Sequence, residues 1–158
     1  MQRPLYSPLH WGAEIAGVII LLSLISYVAL QWGDLPEKIP THYNFSGQAD
    51  AWGSKSALLY LPGAALLVWI LLTVVSFFPS LWNYPVKVTP ENAEFLYRCS
   101  LNLMVFLKLE LIILFSCITY FAINTKNLPV WLTPVALAVI FASVLFPVIK
   151  MFRLGRHF

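Results

Sequence analysis

The sequence predicts an all-α membrane protein: four transmembrane helices with a compact extracytoplasmic loop, a short β-hairpin-like cap, between the first and the second. Three observations predict it. Charged residues make up 11% of the 158 residues, against roughly a quarter in soluble domains, so charge is too sparse to coat a globule in water. Apolar runs of about 20 residues, the length that crosses a bilayer, occur four times. Between the first two runs the composition turns polar, aromatic and rich in turn formers.

The spans fall at residues 11–31, 57–78, 99–123 and 129–149. Lipid offers no partner to a bare amide, so each run satisfies its backbone internally as a helix. The first run is longer than the core of a secretory signal and carries Glu14, which makes it an anchor. On the first span, Gly12 with Ala16 and Ala13 with Gly17 are small pairs that let helices approach closely. In the second span, Pro62-Gly63 predicts a bend near the outer end. Ahead of the third span, Thr89-Pro90-Glu91 has the form of a helix start, with a hydroxyl cap, a proline and then an acid. A helix over residues 90–123 would be about 51 Å long. Residues 1–158 then form one integral-membrane domain, with no internal repeat and no low-complexity linker.

Lysines and arginines favour one side. Arg3, Lys87, Arg98, Lys150, Arg153 and Arg156 fall at one end of the spans, and Lys38, Lys55 and Lys126 at the other. The excess places both termini in the cytoplasm and the segment 32–56 outside it. Trp11, Trp32, Trp52, Trp82 and Trp131 fall near span ends, where amphipathic rings settle.

The cap segment has its own grammar. Ile39, Thr41, Tyr43 and Phe45 alternate with Pro40, His42 and Asn44, as on the two faces of a strand. This pattern predicts an apolar face lying on the helices and an outer face presenting His42 and Asn44. Ser46-Gly47 reads as a turn, Asp50 and Trp52 lie on the return path, and Ser54 caps the second helix. Candidate ligand-binding or cap-structuring residues are His42, Asn44, Asp50, Thr41, Tyr43 and Lys55. A zinc site needs three or four ligands, usually His or Cys, and His42 with Asp50 falls short, so no metal and no cofactor is expected. Cys99 and Cys117 are eighteen residues apart on one helix. That is about 27 Å of rise, too far for a disulfide.

The polar residues that stand out inside the apolar spans are Glu14, Asn102, Lys108 and Glu110. An ionised group at the bilayer centre costs about 2.5–3.5 kcal/mol on insertion scales, so each needs a partner. Lys108 and Glu110 are two residues apart, about 200° around a helix, and face different neighbours. Glu14 is the expected partner for Lys108. Lys108 shares one stripe with Tyr97 and Thr119, while Asn102, Glu110, Cys117 and Tyr120 share another.

"LPEKIPTHYNFSGQADAWGSK" resembles the hallmark of a large bacterial integral-membrane family of unknown function, with the pattern P-x-x-I-P-T-H-[Phe/Tyr]-N-x-x-G-x-x-D and a following Ser-Lys pair. The matching positions are Pro36, Ile39, Pro40, Thr41, His42, Tyr43, Asn44, Gly47, Asp50, Ser54 and Lys55. The stretch "NYPVKVTPENAEFLYR" is also similar to the small, single-domain branch of that family. The same domain opens SdpI-type immunity proteins, which protect a producing cell against its own toxin and continue into further helices with motifs of their own. The resemblance implies a multi-pass protein of the bacterial cytoplasmic membrane.

The expected function is non-enzymatic: binding or sensing an envelope component or peptide through the cap, in the SdpI-like immunity or signalling class. The alternatives are an accessory or structural subunit of a larger membrane complex, and a small transporter or membrane metalloenzyme. Expected partners are the lipid bilayer and a protein partner or second copy meeting the third helix. The net charge of +3 is too small and scattered for a nucleic-acid surface.

Overall fold

The computed structural model describes residues 6–154. Arg3, Arg156 and His157 lie outside the described residues. Four long helices carry the fold: α1 (Pro8–Gln31), α2 (Tyr60–Ser76), α3 (Ala93–Ile123) and α4 (Leu132–Leu154). Between α1 and α2 stand two antiparallel strands, β1 (Lys38–Tyr43) and β2 (Ala49–Ser54). All four helices are long and apolar enough to cross a bilayer, the second counted with the 3-10 turn Lys55–Leu59 that leads into it.

Each helix end has a local cause. Ser7 and His10 cap α1 reciprocally: the Ser7 hydroxyl accepts the His10 N–H, and His10 Nδ1 accepts the Ser7 N–H at 3.1 Å. Ser54 caps the 3-10 turn by accepting the Ser56 N–H. Pro62 lies in the first turn of α2, where its missing N–H breaks no helical bond. The 3-10 turn gives way to α geometry at Tyr60, two residues before Pro62. Regular α3 begins at Ala93, three residues later than Pro90. Thr89 and Asn92 exchange side-chain to backbone bonds across the intervening turn, so the hydroxyl cap acts one turn before the regular helix.

Helix α3 is the centre, packing against α1, α2 and α4, whereas α1 and α2 touch each other much less. The reason is visible in the burial stripes. Helix α1 buries His10, Ala13, Gly17, Leu21, Leu24 and Val28, spaced three and four residues apart along one face. Of the two small pairs, Ala13 and Gly17 lie in this interface, while Gly12 has open space around it. Helix α3 buries eleven residues, among them the Tyr97, Lys108 and Thr119 stripe. Helix α4 fully buries only Met151, and the face it turns toward α3 is half-buried.

The cap is fastened to the bundle at two places. Ile39, 1% exposed, plugs the end of the core formed by Leu21, Leu24, Val28, Leu58, Ile112 and Ala122. The loop between α3 and α4 grips the hairpin turn: the Leu128 N–H donates to the Gly47 carbonyl at 2.8 Å, and Asn127 Oδ1 accepts the Ala49 N–H at 3.1 Å. Gly47 has φ +78°, and a Cβ there would lie 2.4 Å from the Leu128 oxygen. Only glycine fits so close an approach in that backbone conformation.

Strict alternation along β1 does not hold. Pairing is regular from Lys38 to Pro40 and then skips Thr41, so that His42 pairs with Ala51. Proline has no N–H for the ladder, and the pairing that follows it is irregular twice: Thr41 is passed over on β1, then Asp50 on β2, so that Tyr43 pairs with Ala49 in the original register. Ile39 and Pro40 are both buried, and Thr41 and His42 are both exposed. Phe45, expected to lie on the helices, is 74% exposed.

Candidate functional site

The six cap residues singled out by sequence are each engaged within the cap. Thr41 lays its methyl on Gly53 of β2, where an added Cβ would come within 2.8 Å of it. His42 Nδ1 and Asp50 Oδ1 pair across the strands at 2.6 Å on the open surface. The Tyr43 hydroxyl donates to the Lys126 carbonyl at 3.2 Å, joining hairpin to loop. Burial pushes the pKa of that phenol up to about 12. Asn44 closes the turn: its Oδ1 accepts the N–H groups of Ser46 and Gln48, both at 3.0 Å, and its carbonyl accepts that of Gly47. The Asn44 side chain is thereby committed to the turn, and of the two expected outer residues His42 is the one held open to the surface, paired with Asp50. Lys55 places its ammonium 5.8 Å from the Trp32 ring, and its N–H donates to the Glu37 carbonyl.

Next to this fabric is a cleft of about 630 Å³. Residues 39–45 form one wall without a break, so β1 borders it from Ile39 onward. Leu58, Leu61, Ile118, Ala122 and Leu128 make it predominantly apolar. Its position under the hairpin, against the ends of α2 and α3, makes it the candidate binding site. The sequence hid these lining residues, because apolar side chains inside a span carry no mark separating cleft from core. Among the described residues, no group of three or more His, Cys, Asp or Glu side chains is placed to hold a metal ion.

Deeper in the bundle the polar residues find partners on different helices. Lys108, 2% exposed, donates to Glu14 of α1 and, at 3.0 Å, to the Thr73 hydroxyl of α2. Its ammonium also lies 5.8 Å from the Trp69 ring. Glu110, on the opposite side of α3, accepts from the Ser143 hydroxyl of α4 at 2.7 Å. Asn102 Oδ1 meets Nε2 of His10. Since His10 Nδ1 accepts from Ser7, the hydrogen-bond network assigns the ring proton to Nε2, which donates to Asn102. Sequence spacing put Asn102 and Glu110 on one stripe; the structure sends one to α1 and the other to α4. His10 was not among the expected residues, and only the Ser7 spacing at the helix start could have marked it.

Fold and site together define a class: a four-helix bundle of membrane-spanning character with a hairpin cap bordering an apolar cleft. Within it, a family model described as a domain of unknown function, DUF1648, matches residues 18–66. These residues run from α1 through the whole cap into the first turns of α2. No curated protein and no solved structure matches the chain.

Proposed function

We propose that the chain is a single integral-membrane domain of the bacterial cytoplasmic membrane that binds or senses an amphipathic envelope component or peptide in the cleft beside β1. Both termini lie in the cytoplasm and the cap outside. The observation that carries the reading is the cleft itself: about 630 Å³, apolar within, bordered along one side by residues 39–45. Binding sites of this kind are concave and mostly apolar, with few polar groups to orient the ligand. Here the polar lining includes Thr41, His42 and Thr133. The Lys and Arg distribution supports the orientation, with Lys87, Arg98, Lys150 and Arg153 at the uncapped end. The more specific SdpI-like role, protection against a toxin arriving from outside, rests on the cap motif.

The test fills the cleft. Wild type and Leu61→Trp are purified from native membranes in mild detergent, and bound peptides and amphiphiles are identified by mass spectrometry. A discrete species present in wild type and lost in the folded variant is the expected result. The same complement in both removes the proposal. Topology is checked by Gln48→Cys in a background lacking Cys99 and Cys117: an impermeant maleimide labels it in intact cells if the cap is outside.

A second reading, an accessory subunit or a homo-oligomer meeting through α3, is supported by Ile113 and Tyr120, large side chains that α3 leaves exposed. A monomer on a native gel of mildly solubilised membranes would remove it.

A further inference from the structure

The two carboxylates inside the bundle are treated differently. Glu14 has Lys108, whereas Glu110 has no cationic side chain within ion-pair distance among the described residues. Its partner is a hydroxyl, and that hydroxyl is oversubscribed. Ser143 Oγ lies 2.7 Å from Glu110 Oε2 and 3.0 Å from the Ile140 carbonyl, with one hydrogen to give. When the hydrogen goes to Ile140, the Ser143 oxygen and the Glu110 carboxylate face each other as two acceptors with nothing positive between them.

A third acceptor belongs to the same residue of α4. Pro147 lies inside α4, four residues after Ser143, and has no N–H to offer the Ser143 carbonyl. Ser143 and Pro147 share one face of the helix, and both line a cleft of about 280 Å³ between α3 and α4. Lys150 and Cys99 line the same cleft toward the uncapped end. Phe106 and Phe146 make apolar walls. Asn102 also lines it, but its Oδ1 is taken by His10.

We infer that this cleft is a binding site for a small monovalent cation of the sodium or potassium type, held by the Glu110 carboxylate, the Ser143 hydroxyl and the Ser143 carbonyl. Carboxylate, hydroxyl and carbonyl oxygens are hard donors and select hard cations. A single carboxylate balances a single positive charge, which sets the site apart from those of calcium, with its six to eight oxygens and several acids. Interrupted membrane helices use freed carbonyls in this way. At about 30 Å³ per water, the cleft has room for the ion and the waters that complete its shell. The nearby charges leave the position open. Lys150 is seven residues along α4 from Ser143, about 10 Å, with its ammonium drawn over the Phe95 ring at 5.7 Å. The Lys108–Glu14 pair lies on the other side of α3 and is neutral as a unit.

The test is thermal unfolding of the protein in nanodiscs, with NaCl or KCl exchanged for choline chloride at constant ionic strength. Sodium or potassium should raise the melting temperature by roughly 3–6 °C at ten times the dissociation constant. Glu110→Gln should lose the rise. Pro147→Ala, which returns an N–H to the Ser143 carbonyl, should melt higher in choline yet lose the response to the ion; a purely structural proline gives the first effect alone. Saturable binding of radioactive sodium to wild type, displaced by NaCl and not by choline chloride, gives a readout independent of stability. A folded wild type with no ion-specific shift and no saturable binding overturns the site. So does a shift kept in full by both variants, or one that follows pH and ignores both cations.

Discussion

Lys108 of α3 donates to Glu14 of α1, and both side chains are withdrawn from the surface, at 2% and 13% exposure. Removing one member of such a pair leaves a desolvated charge. Lys108→Met should therefore destabilise the protein by about 3–5 kcal/mol, and Glu14→Leu/Lys108→Met should recover most of that loss. Reversible unfolding in mixed micelles, arranged as a double-mutant cycle, measures both. Additive losses would mean that the two side chains do not act as a pair.

The grip of the α3–α4 loop on the hairpin depends on Gly47, which combines φ +78° with a 2.4 Å approach of the Leu128 oxygen to any added Cβ. Gly47→Ala should cost about 1–3 kcal/mol from the backbone conformation alone, and more from the clash. The loss should be local first. Amide exchange at Leu128 and Ala49 should accelerate while exchange in the centre of α3 stays slow. Unchanged protection at Leu128 would show that the loop is held by something else.

The turn does not tell Asn44 from Asp. The Oδ1 of Asn44 accepts two backbone N–H groups, and no bond from its amide nitrogen is needed to hold the turn. Asn44→Ala should lose about 1–2 kcal/mol, since both donors lose a partner. Asn44→Asp, which keeps the acceptor, should stay close to wild type. Should Asn44→Asp fold normally and yet lose the bound species of the cleft, the amide would have a role in recognition beyond the turn.

The end of α3 carries a residue poorly matched to its backbone. Asn124, Thr125 and Lys126 close the helix with the Thr125 N–H on the Ala122 carbonyl and the Lys126 N–H on the Phe121 carbonyl. This is the arrangement in which the residue after the cap is left-handed and usually glycine. Here it is Thr125, β-branched, at φ 50°. Thr125→Gly should raise stability by about 1 kcal/mol, read as an increase in melting temperature. A decrease would mean that the Thr125 hydroxyl bond to the Asn124 carbonyl outweighs the conformational strain.

Long-wave periodicity and composition made the four spans, the hairpin between them and the Lys108–Glu14 pair legible in the sequence. Each follows from a cost that lipid imposes regardless of detail: an unpaired amide or an unpaired charge. The β1 faces were not legible, because Pro40 and the two pairing irregularities that follow it break a period-two pattern. Neither was the cleft. Leu61 and Ile118 border it with the same apolar side chains that fill the core, and only the packing of elements far apart in the chain separates the two. Nor did the sequence show that Glu110 would meet Ser143, since helix order around the bundle is set by packing between elements far apart in the chain.

Tyr43 supplies a pH test of the hairpin–loop joint. Burial raises the pKa of its phenol from 10.0 to about 12 in the folded protein. The unfolded chain therefore releases this proton first as pH rises, and between those two values the native state binds more protons than the unfolded one. Stability is then fully present below pH 10, falls as pH climbs toward 12, and levels off above it. Ionisation also removes the hydroxyl hydrogen that Tyr43 gives to the Lys126 carbonyl, so the joint should loosen over the same range. Tyr84 and Tyr6 are shifted in the same direction by burial, and the whole protein will lose stability in alkali. The contribution of Tyr43 is isolated by comparing wild type with Tyr43→Phe across this window. The variant should melt lower at neutral pH, where it lacks the bond, and the gap should close as pH approaches 12. A gap that stays constant from pH 8 to pH 12 would show that the phenol does not titrate within the joint.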